Sequence, residues 1–224
     1  MCRKAVEHFD NLVNKDGTFV RDLTGEEWDF IENERMLCTL DFRYYLERYS
    51  TIKDRQDRLI RLVPNVAQNI MIDTYAEAED KGHEIALIIL KARQFGISTL
   101  TELVIAWFVQ FHRERRAVVG SSDPDKSNLM SKIIELNWVH MPWWLMPNRT
   151  AYRVGERMEF DEQGSLVSVQ HGTQFSGIGR GTTFTIAHLC LAPTTSIPMA
   201  DSSIKQLRNV AQGDVVITAD ENIS

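Results

Sequence analysis

The chain has 224 residues, of which 43% are hydrophobic and 25% are charged, and this balance is typical of a soluble globular protein. Its length allows one large α/β domain or two small ones. The formal net charge of −6 argues against a surface coated in basic charge for nucleic acid, although a local basic strip stays compatible with it. The three cysteines have no Cys-x-x-Cys spacing, which favours a reducing compartment and no zinc site. No apolar run has the length of a membrane span, and the N-terminus lacks a signal-peptide core.

The first 60 residues predict a helical segment. Thr24 precedes Gly25-Glu26-Glu27, so we expect it to cap a helix with an acidic first turn. From Trp28 to about Tyr49, apolar and aromatic residues recur at helical spacing, which predicts one or two amphipathic helices. Packing of this segment against a main domain over residues 61–224 is the preferred interpretation, ahead of a direct contact with a ligand.

A further helix is predicted from about Asn65 to Ala78, after Pro64 interrupts a charge-rich stretch. The apolar residues expected on one face of it are Val66, Ile70, Met71 and Tyr75. Gln68 lies near its start. From the residue alone, a solvated glutamine on the helix surface is the simplest interpretation, although an amide also offers adenine a donor and an acceptor.

A buried strand, a tight loop and a helix start then follow one another. Residues 85–90 are all apolar, as in a strand that is covered on both faces of a parallel sheet. The loop Lys91-Ala92-Arg93-Gln94-Phe95-Gly96 leads into a helix that is expected to begin at Ser98 or Thr99. Backbone N–H groups and the helix dipole favour a phosphate at such a point. A charged turn with Lys91 and Arg93 in solvent explains the loop equally well.

This loop departs from the standard phosphate loop, Gly-x-x-x-x-Gly-Lys-Ser/Thr. Gly96 takes the position of the second glycine, and Ser98 takes that of the hydroxyl residue that faces Mg²⁺. Ile97 stands at the usual lysine position, and Lys91 stands at that of the first glycine. The cation would therefore enter from the start of the loop, with Arg93 as a second one.

A second strand–loop–helix unit follows. Ala117–Gly120 is predicted to be a short buried strand, and residues 121–125 are expected to cap a helix from about Lys126 to Trp138. Trp143 and Trp144 are able to stack on nucleobases, but packing in the core is the preferred interpretation of this pair.

The last third of the chain predicts strands. Residues 152–160 and 166–170 alternate like a β-hairpin. A glycine-rich segment around Arg180 fits either a phosphate or DNA contact or a flexible connector, and a strand is predicted over Thr182–Leu189. A further buried strand is predicted over Val215–Ala219.

The motif Lys-Ala-Arg-Gln-x-Gly-x-Ser-Thr after an apolar strand resembles the deviant phosphate loop of the large terminase subunit of tailed phages, a DNA-packaging motor. Three further segments resemble the same family in the same order, namely residues 33–45, Pro64–Gln68 and Ser176–Phe184. The resemblance implies an α/β fold, a P-loop NTPase-type three-layer sandwich with a mainly parallel central sheet. It also implies that the helical N-terminal segment, residues 1–60, covers the nucleotide site.

The cofactors implied by this resemblance are ATP and Mg²⁺. The residues that would form the Walker A loop around the phosphates are Lys91, Arg93, Gln94, Gly96, Ile97, Ser98 and Thr99. Ser98 would also bind Mg²⁺, and Gln68 would contact adenine. The strand Thr182–Leu189 is where such a motor has an acid near the metal and a glutamate that activates water. Leu191 stands at the expected position of that glutamate.

In function, the resemblance implies the ATP-binding domain of a terminase large subunit, which would power translocation of viral double-stranded DNA into procapsids in the host cytoplasm. The expected partners are double-stranded DNA, the small terminase subunit, the portal protein of the procapsid and further copies of the chain in a ring, with no membrane.

Two other interpretations stay open. The leucine at position 191 and the lack of a nuclease domain, which full-length members of the family carry, favour a non-hydrolysing remnant or assembly piece that binds nucleotide only. The third interpretation is a helicase-like nucleic-acid ATPase outside packaging. The displaced Lys91 and the segment of residues 33–45 argue against it.

Overall fold

The computed structural model describes residues 2–14, 16–54, 56–81, 89, 95–146, 151–153, 157–160, 163–171, 183–192, 194–211 and 213–214. Within these ranges the protein is α/β, with helices concentrated in its first two thirds and a mixed sheet in the second half. The described α-helices are α1 (Cys2–Asp10), α2 (Gly25–Leu40), α3 (Phe42–Tyr49), α4 (Val66–Asp80), α5 (Ile97–Phe111) and α6 (Pro124–Val139). Short 3₁₀ turns cover Trp143–Leu145 and Leu207–Asn209.

Nine described strands form three sheets. They are β1 (Ile52–Lys53), β2 (Leu59–Ile60), β3 (Arg116–Ser121), β4 (Ala151–Arg153), β5 (Arg157–Phe160), β6 (Ser165–His171), β7 (Ile186–Cys190), β8 (Ser196–Pro198) and β9 (Ile204–Gln206). The main sheet has the order β4-β5-β6-β3-β7, while β1 pairs with β2 and β8 with β9 as antiparallel hairpins. In the main sheet β3 runs parallel to β6 and β7, whereas the pairings β4–β5 and β5–β6 are antiparallel. The described part of the sheet is therefore mixed.

Helix α5 is the centre of the packing. From Leu100 to Trp107 every residue is buried, and different faces of the helix enter three separate hydrophobic clusters. Ile105 and Val109 pack on the sheet with α6, Trp107 packs with α1, α2 and the turn Trp143–Leu145, and Leu100 packs with α3 and α4. A helix that is apolar all round is a buried one, so the rest of the described fold is arranged around α5.

One face of the main sheet is buried against α5 and α6. Val119 of β3 pairs in register with Val169 of β6 and with His188 of β7, so these side chains point to the same face. Ile134 and Trp138 of α6 close the cluster over that face. In β7, Ala187 and Leu189 point the other way and are exposed, whereas His188 and Cys190 are partly buried.

The N-terminal helices form as expected. Thr24 caps α2, and its hydroxyl accepts a hydrogen bond from the Glu27 amide while the Glu27 carboxylate accepts one from the Thr24 amide. This reciprocal arrangement is a capping box. Asp41 ends α2 and caps α3. Trp144 is 1% exposed at the centre of the aromatic cluster, so the prediction of core packing for this tryptophan is confirmed.

One predicted helix face is partly wrong. Val66 and Ile70 of α4 are 77% and 62% exposed, so their predicted inward position is wrong. The prediction holds for Met71, which is buried with Ile72, and for Tyr75, which packs against the same cluster. Gln68 is 2% exposed, and Met71 and Ile72 follow it by three and four residues, so the three side chains lie on one face of the helix. The buried face of α4 therefore begins with a polar residue. The contacts of Gln68, described below, fix this rotation of the helix.

The predicted strand near residue 190 is shifted. It was expected over Thr182–Leu189, but β7 begins at Ile186 and includes Cys190. The hairpin prediction is confirmed for β5 and β6, with β4 as an additional antiparallel strand. The predicted strands at residues 85–90 and 215–219 lie outside the described residues, except Ile89. None of the helices in the described ranges is long and apolar enough to cross a membrane.

Candidate nucleotide-binding site

The N-terminus of α5 is the part of the predicted phosphate loop that the structure describes. Gly96 is the N-cap and has φ of 69°, a left-handed conformation that glycine adopts readily. Its carbonyl accepts the amide of Leu100, which closes the first helical turn. The amides of Ile97, Ser98 and Thr99 precede the first residue that has an intrahelical partner, so they are the donors that a helix start offers to an anion.

Two amide side chains at the start of α4, those of Asn65 and Gln68, bind the backbone of this loop. The Gln68 Nε2 atom donates to the Gly96 carbonyl at 2.8 Å, and the Asn65 Nδ2 atom donates to the Phe95 carbonyl at 3.0 Å. Asn65 and Gln68 also cap α4 reciprocally, because each side-chain oxygen accepts the backbone N–H of the other residue. A Cβ on residue 96 would lie 2.8 Å from Gln68 Nε2, so the close approach requires glycine.

The predicted adenine residue is therefore already bonded at both ends of its amide. Gln68 Oε1 accepts from Asn65, and Nε2 donates to Gly96. Because Gln68 is only 2% exposed, an adenine base would have to reach the remaining N–H and lone pair of a buried amide, or exchange one of these bonds. The contact between Gln68 and the loop nevertheless places this residue directly against the start of α5.

The other predicted loop residues divide into two groups. Ile97 is 6% exposed and packs into the cluster of α3, α4 and α5, while Ser98 and Thr99 are partly exposed in the first turn of α5. Lys91, Arg93 and Gln94 lie outside the described residues, so the cations that the sequence assigns to the phosphates are not part of the described geometry.

The N-terminus of α5 points to the carboxyl edge of the parallel strands. Since α5 ends at Phe111 and β3 begins at Arg116, the start of α5 lies toward the opposite end of β3. Ser121 and Cys190 are partners in register at that edge, and Leu191 is the first residue after β7. This edge is the usual place of a ligand in an open α/β sheet.

A buried acid and a histidine connect α5 to β7. Glu102 is fully buried, and its Oε1 lies 2.6 Å from His188 Nδ1. The second oxygen, Oε2, is buried and has no hydrogen-bond partner among the residues that the structure describes. Glu102 follows Ser98 by one helical turn, which is about 6 Å along the helix axis. The pair therefore lies just below the candidate phosphate position.

Charge and burial act in opposite directions on this pair. Burial would lower the pKa of His188, but hydrogen bonds to Cys190 and Glu102, together with their charges, raise it to about 9. Burial raises the pKa of Glu102, and the contact with His188 opposes that rise. We assign the ion pair near neutral pH, because the short Glu102–His188 contact and the sulfur of Cys190 both stabilise an imidazolium.

The sequence analysis missed this pair, although a signal was present. Glu102 is the one charged residue in the largely apolar stretch from Leu100 to Val109, and a carboxylate at such a position needs a buried partner. His188 supplies it from 86 residues away in the sequence. Successive side chains of a strand point to opposite faces. His188 therefore lies on the inward face of β7, while its neighbours Ala187 and Leu189 lie on the outward face.

The described residues fit a phosphate better than they fit the metal. The start of α5 offers backbone donors, a helix dipole and the Ser98 hydroxyl. No group of three histidine, cysteine or acidic residues able to hold a metal ion occurs in the described ranges, and the strand end carries Cys190 and Leu191 rather than acids. A Mg²⁺ ion at Ser98 would have to take most of its ligands from phosphate oxygens and water.

Comparison with known proteins gives no assignment. No protein-family model matches the chain, and no curated protein matches it significantly.

Proposed function

We propose that the chain is the ATP-binding domain of a phage terminase large subunit, which powers translocation of viral double-stranded DNA into procapsids. The observation that carries the proposal is the left-handed Gly96 at the start of the buried helix α5, followed by Ser98. This helix start faces the carboxyl edge of the parallel strands β3 and β7. The order of the motifs along the sequence supports the proposal, as does the α/β fold, which we infer to be of the P-loop type.

In this proposal, each end of the loop has a distinct task. The backbone donors of Ile97–Thr99 bind phosphate oxygens, and the Ser98 hydroxyl binds Mg²⁺. Lys91 and Arg93 bring the positive charge that Ile97 cannot supply. Mg²⁺ held by Ser98 would supply neutralisation of the charge on the phosphates. Asn65 and Gln68 position the loop through the Phe95 and Gly96 carbonyls.

ATP binding should depend on Lys91. We expect Lys91→Ala to weaken binding of Mg²⁺-ATP, because Lys91 borders the phosphate loop. The matched control is Lys81→Ala, which removes a lysine that directly follows α4 and whose side chain is 60% exposed. The measurement is calorimetric titration of the native chain and both variants. Equal affinity of the two variants would contradict the assignment of Lys91.

A non-hydrolysing protein with the same fold is the second candidate, and it is favoured by Cys190 and Leu191 at the end of β7. A general base contributes about 10²–10⁴-fold to such reactions. We therefore expect the native chain to bind ATP but to hydrolyse it very slowly, and Leu191→Glu to raise turnover.

Steady-state phosphate release by both proteins measures this effect, with Lys91→Ala introduced into each as the background control. The increase is expected to be partial, because Cys190 does not replace the acid near the metal. Motor-like turnover by the native chain would show that another acid acts as the general base and that Leu191 does not stand at the position of the catalytic glutamate.

The proposed partners follow from the proposed function. They are double-stranded DNA, the small terminase subunit, the portal protein and further copies of the chain in a ring. A net charge of −6 disfavours strong nonspecific binding of DNA by an isolated copy. We propose that binding of DNA depends on a local basic strip or on assembly at the portal.

A further inference from the structure

Cys190 lies near His188 and Glu102, two residues that have no role in the proposed nucleotide binding. His188 and Cys190 are two residues apart on β7, so their side chains point to the same face of the sheet. His188 Nδ1 lies 2.6 Å from Glu102 Oε1, and the neighbouring Cys190 side chain contributes to the raised pKa of the imidazole. Thiol, imidazole and carboxylate thus lie next to one another between β7 and α5.

Burial is deepest at the carboxylate. Glu102 is fully buried, whereas the His188 side chain is 16% exposed and Cys190 is partly buried at the end of β7. The carboxylate is therefore fixed in the interior, while the imidazole and the thiol are both partly accessible to solvent. Among the described residues the Oε2 atom of Glu102 has no hydrogen-bond partner, while Oε1 lies 2.6 Å from His188 Nδ1.

We propose that Cys190 is a reactive thiolate, activated by the His188–Glu102 pair, and a site of modification by small hydroperoxides and other soft electrophiles. A thiolate rather than a thiol is the nucleophile, and a neighbouring imidazolium favours the thiolate. Glu102 keeps the imidazole oriented through Nδ1 and stabilises its positive charge, as the acid does in a nucleophile–histidine–acid arrangement. The inference is independent of nucleotide binding.

The oxidation step balances with the groups present. The thiolate sulfur attacks one oxygen of a hydroperoxide, so that an S–O bond forms and the O–O bond breaks. Sulfur is oxidised by two electrons to a sulfenic acid, and the peroxide is reduced. His188 gives its proton to the departing oxygen, which leaves as water or an alcohol, and the imidazole becomes neutral.

The chain contains two further cysteines, and one of them is an internal control. Cys38 is 0% exposed in the cluster of α1, α2 and the tryptophan turn, so it should stay unmodified in the folded protein. Structural cysteines buried in apolar surroundings are inert. Denatured chain, in which the His188–Glu102 pair is lost, supplies the second control.

The test is alkylation of the whole chain by iodoacetamide at about pH 5.5, where an ordinary thiol with a pKa of about 8.5 is almost wholly protonated. Mass spectrometry of the peptides gives the rate at each cysteine. We expect Cys190 to react on the order of tenfold faster than glutathione, a gain limited because nucleophilicity falls as thiolate stability rises. In denatured chain that advantage should disappear.

Two variants separate activation from exposure. His188→Gln should reduce the rate at Cys190 to that of glutathione, and Glu102→Gln should reduce it in part, whereas Cys38 stays unreactive in both. Hydrogen peroxide followed by dimedone should give an adduct at Cys190 and none at Cys38. A native-chain rate at Cys190 equal to that of glutathione would overturn the proposal even if either variant failed to fold. The absence of a dimedone adduct would overturn its hydroperoxide part.

Discussion

At the scale of single residues, Gln68 shows how a sequence signal and a structural contact overlap. Its position at the start of α4 fits the adenine-binding glutamine of the resembled family, while its side chain caps α4 and holds the Gly96 carbonyl. Both roles need an amide at this position. The structural role explains why a polar residue lies on the buried stripe of α4, and it leaves the adenine role as a separate question.

A comparison of Gln68→Ala with Asn65→Ala separates these two roles. Both variants lose the reciprocal cap of α4 and one bond to the loop, so both should be less stable. We expect the native chain to prefer ATP to GTP and only Gln68→Ala to narrow the gap, by on the order of 1–3 kcal/mol if an amide pair to the base is lost. Competition binding measures the ratio. An unchanged ATP/GTP ratio in Gln68→Ala would exclude the adenine contact.

At the scale of secondary-structure elements, the contact between α5 and β7 makes stability depend on pH. The pKa of His188 is raised to about 9 in the folded chain, from an ordinary value of about 6.5, and that of Glu102 is also raised by burial. The His188–Glu102 pair therefore binds more protons in the folded state than in the unfolded state. Its contribution to stability is fully present below about pH 6.5 and is lost as pH rises toward about 9, while a Cys190 thiolate, which has released its own proton, offsets part of that loss.

We expect the free energy of unfolding, measured by urea titration at several pH values in this window, to decrease with pH in the native chain. His188→Gln should flatten the decrease, because the variant has no imidazolium to lose. Glu102→Gln should also reduce the slope, since the amide cannot stabilise the imidazolium by charge. Equal slopes in the native chain and His188→Gln would show that the pair does not control this pH dependence.

At the scale of the whole molecule, the described fold depends on one helix. Three hydrophobic clusters meet on α5, and Leu103 is 0% exposed in the cluster shared with α3 and α4. Trp144 and Trp138 lie in the two other clusters. A change at Leu103 should therefore be felt by probes that report on distant parts of the chain.

We expect Leu103→Ala to lower the free energy of unfolding by about 2–5 kcal/mol, because it leaves a cavity among packed side chains. The matched control is Leu129→Ala on α6, where the leucine is 63% exposed, and its effect should stay within about 0.5 kcal/mol. Circular dichroism and tryptophan fluorescence should shift together in Leu103→Ala. Separate transitions by the two probes would show that the clusters unfold independently.

The local elements of this protein could be predicted from sequence because their determinants are close together along the chain. The capping box at Thr24, the buried helix after Gly96 and the strand–helix unit of β3 and α6 each depend on residues within a few positions of one another. The tertiary structure alone decided the mixed order of the main sheet, the inward rotation of Gln68 and the pairing of Glu102 with His188. These features join residues far apart in sequence, and their free energy comes from burial and from the satisfaction of buried polar groups, which exist only once the elements have packed.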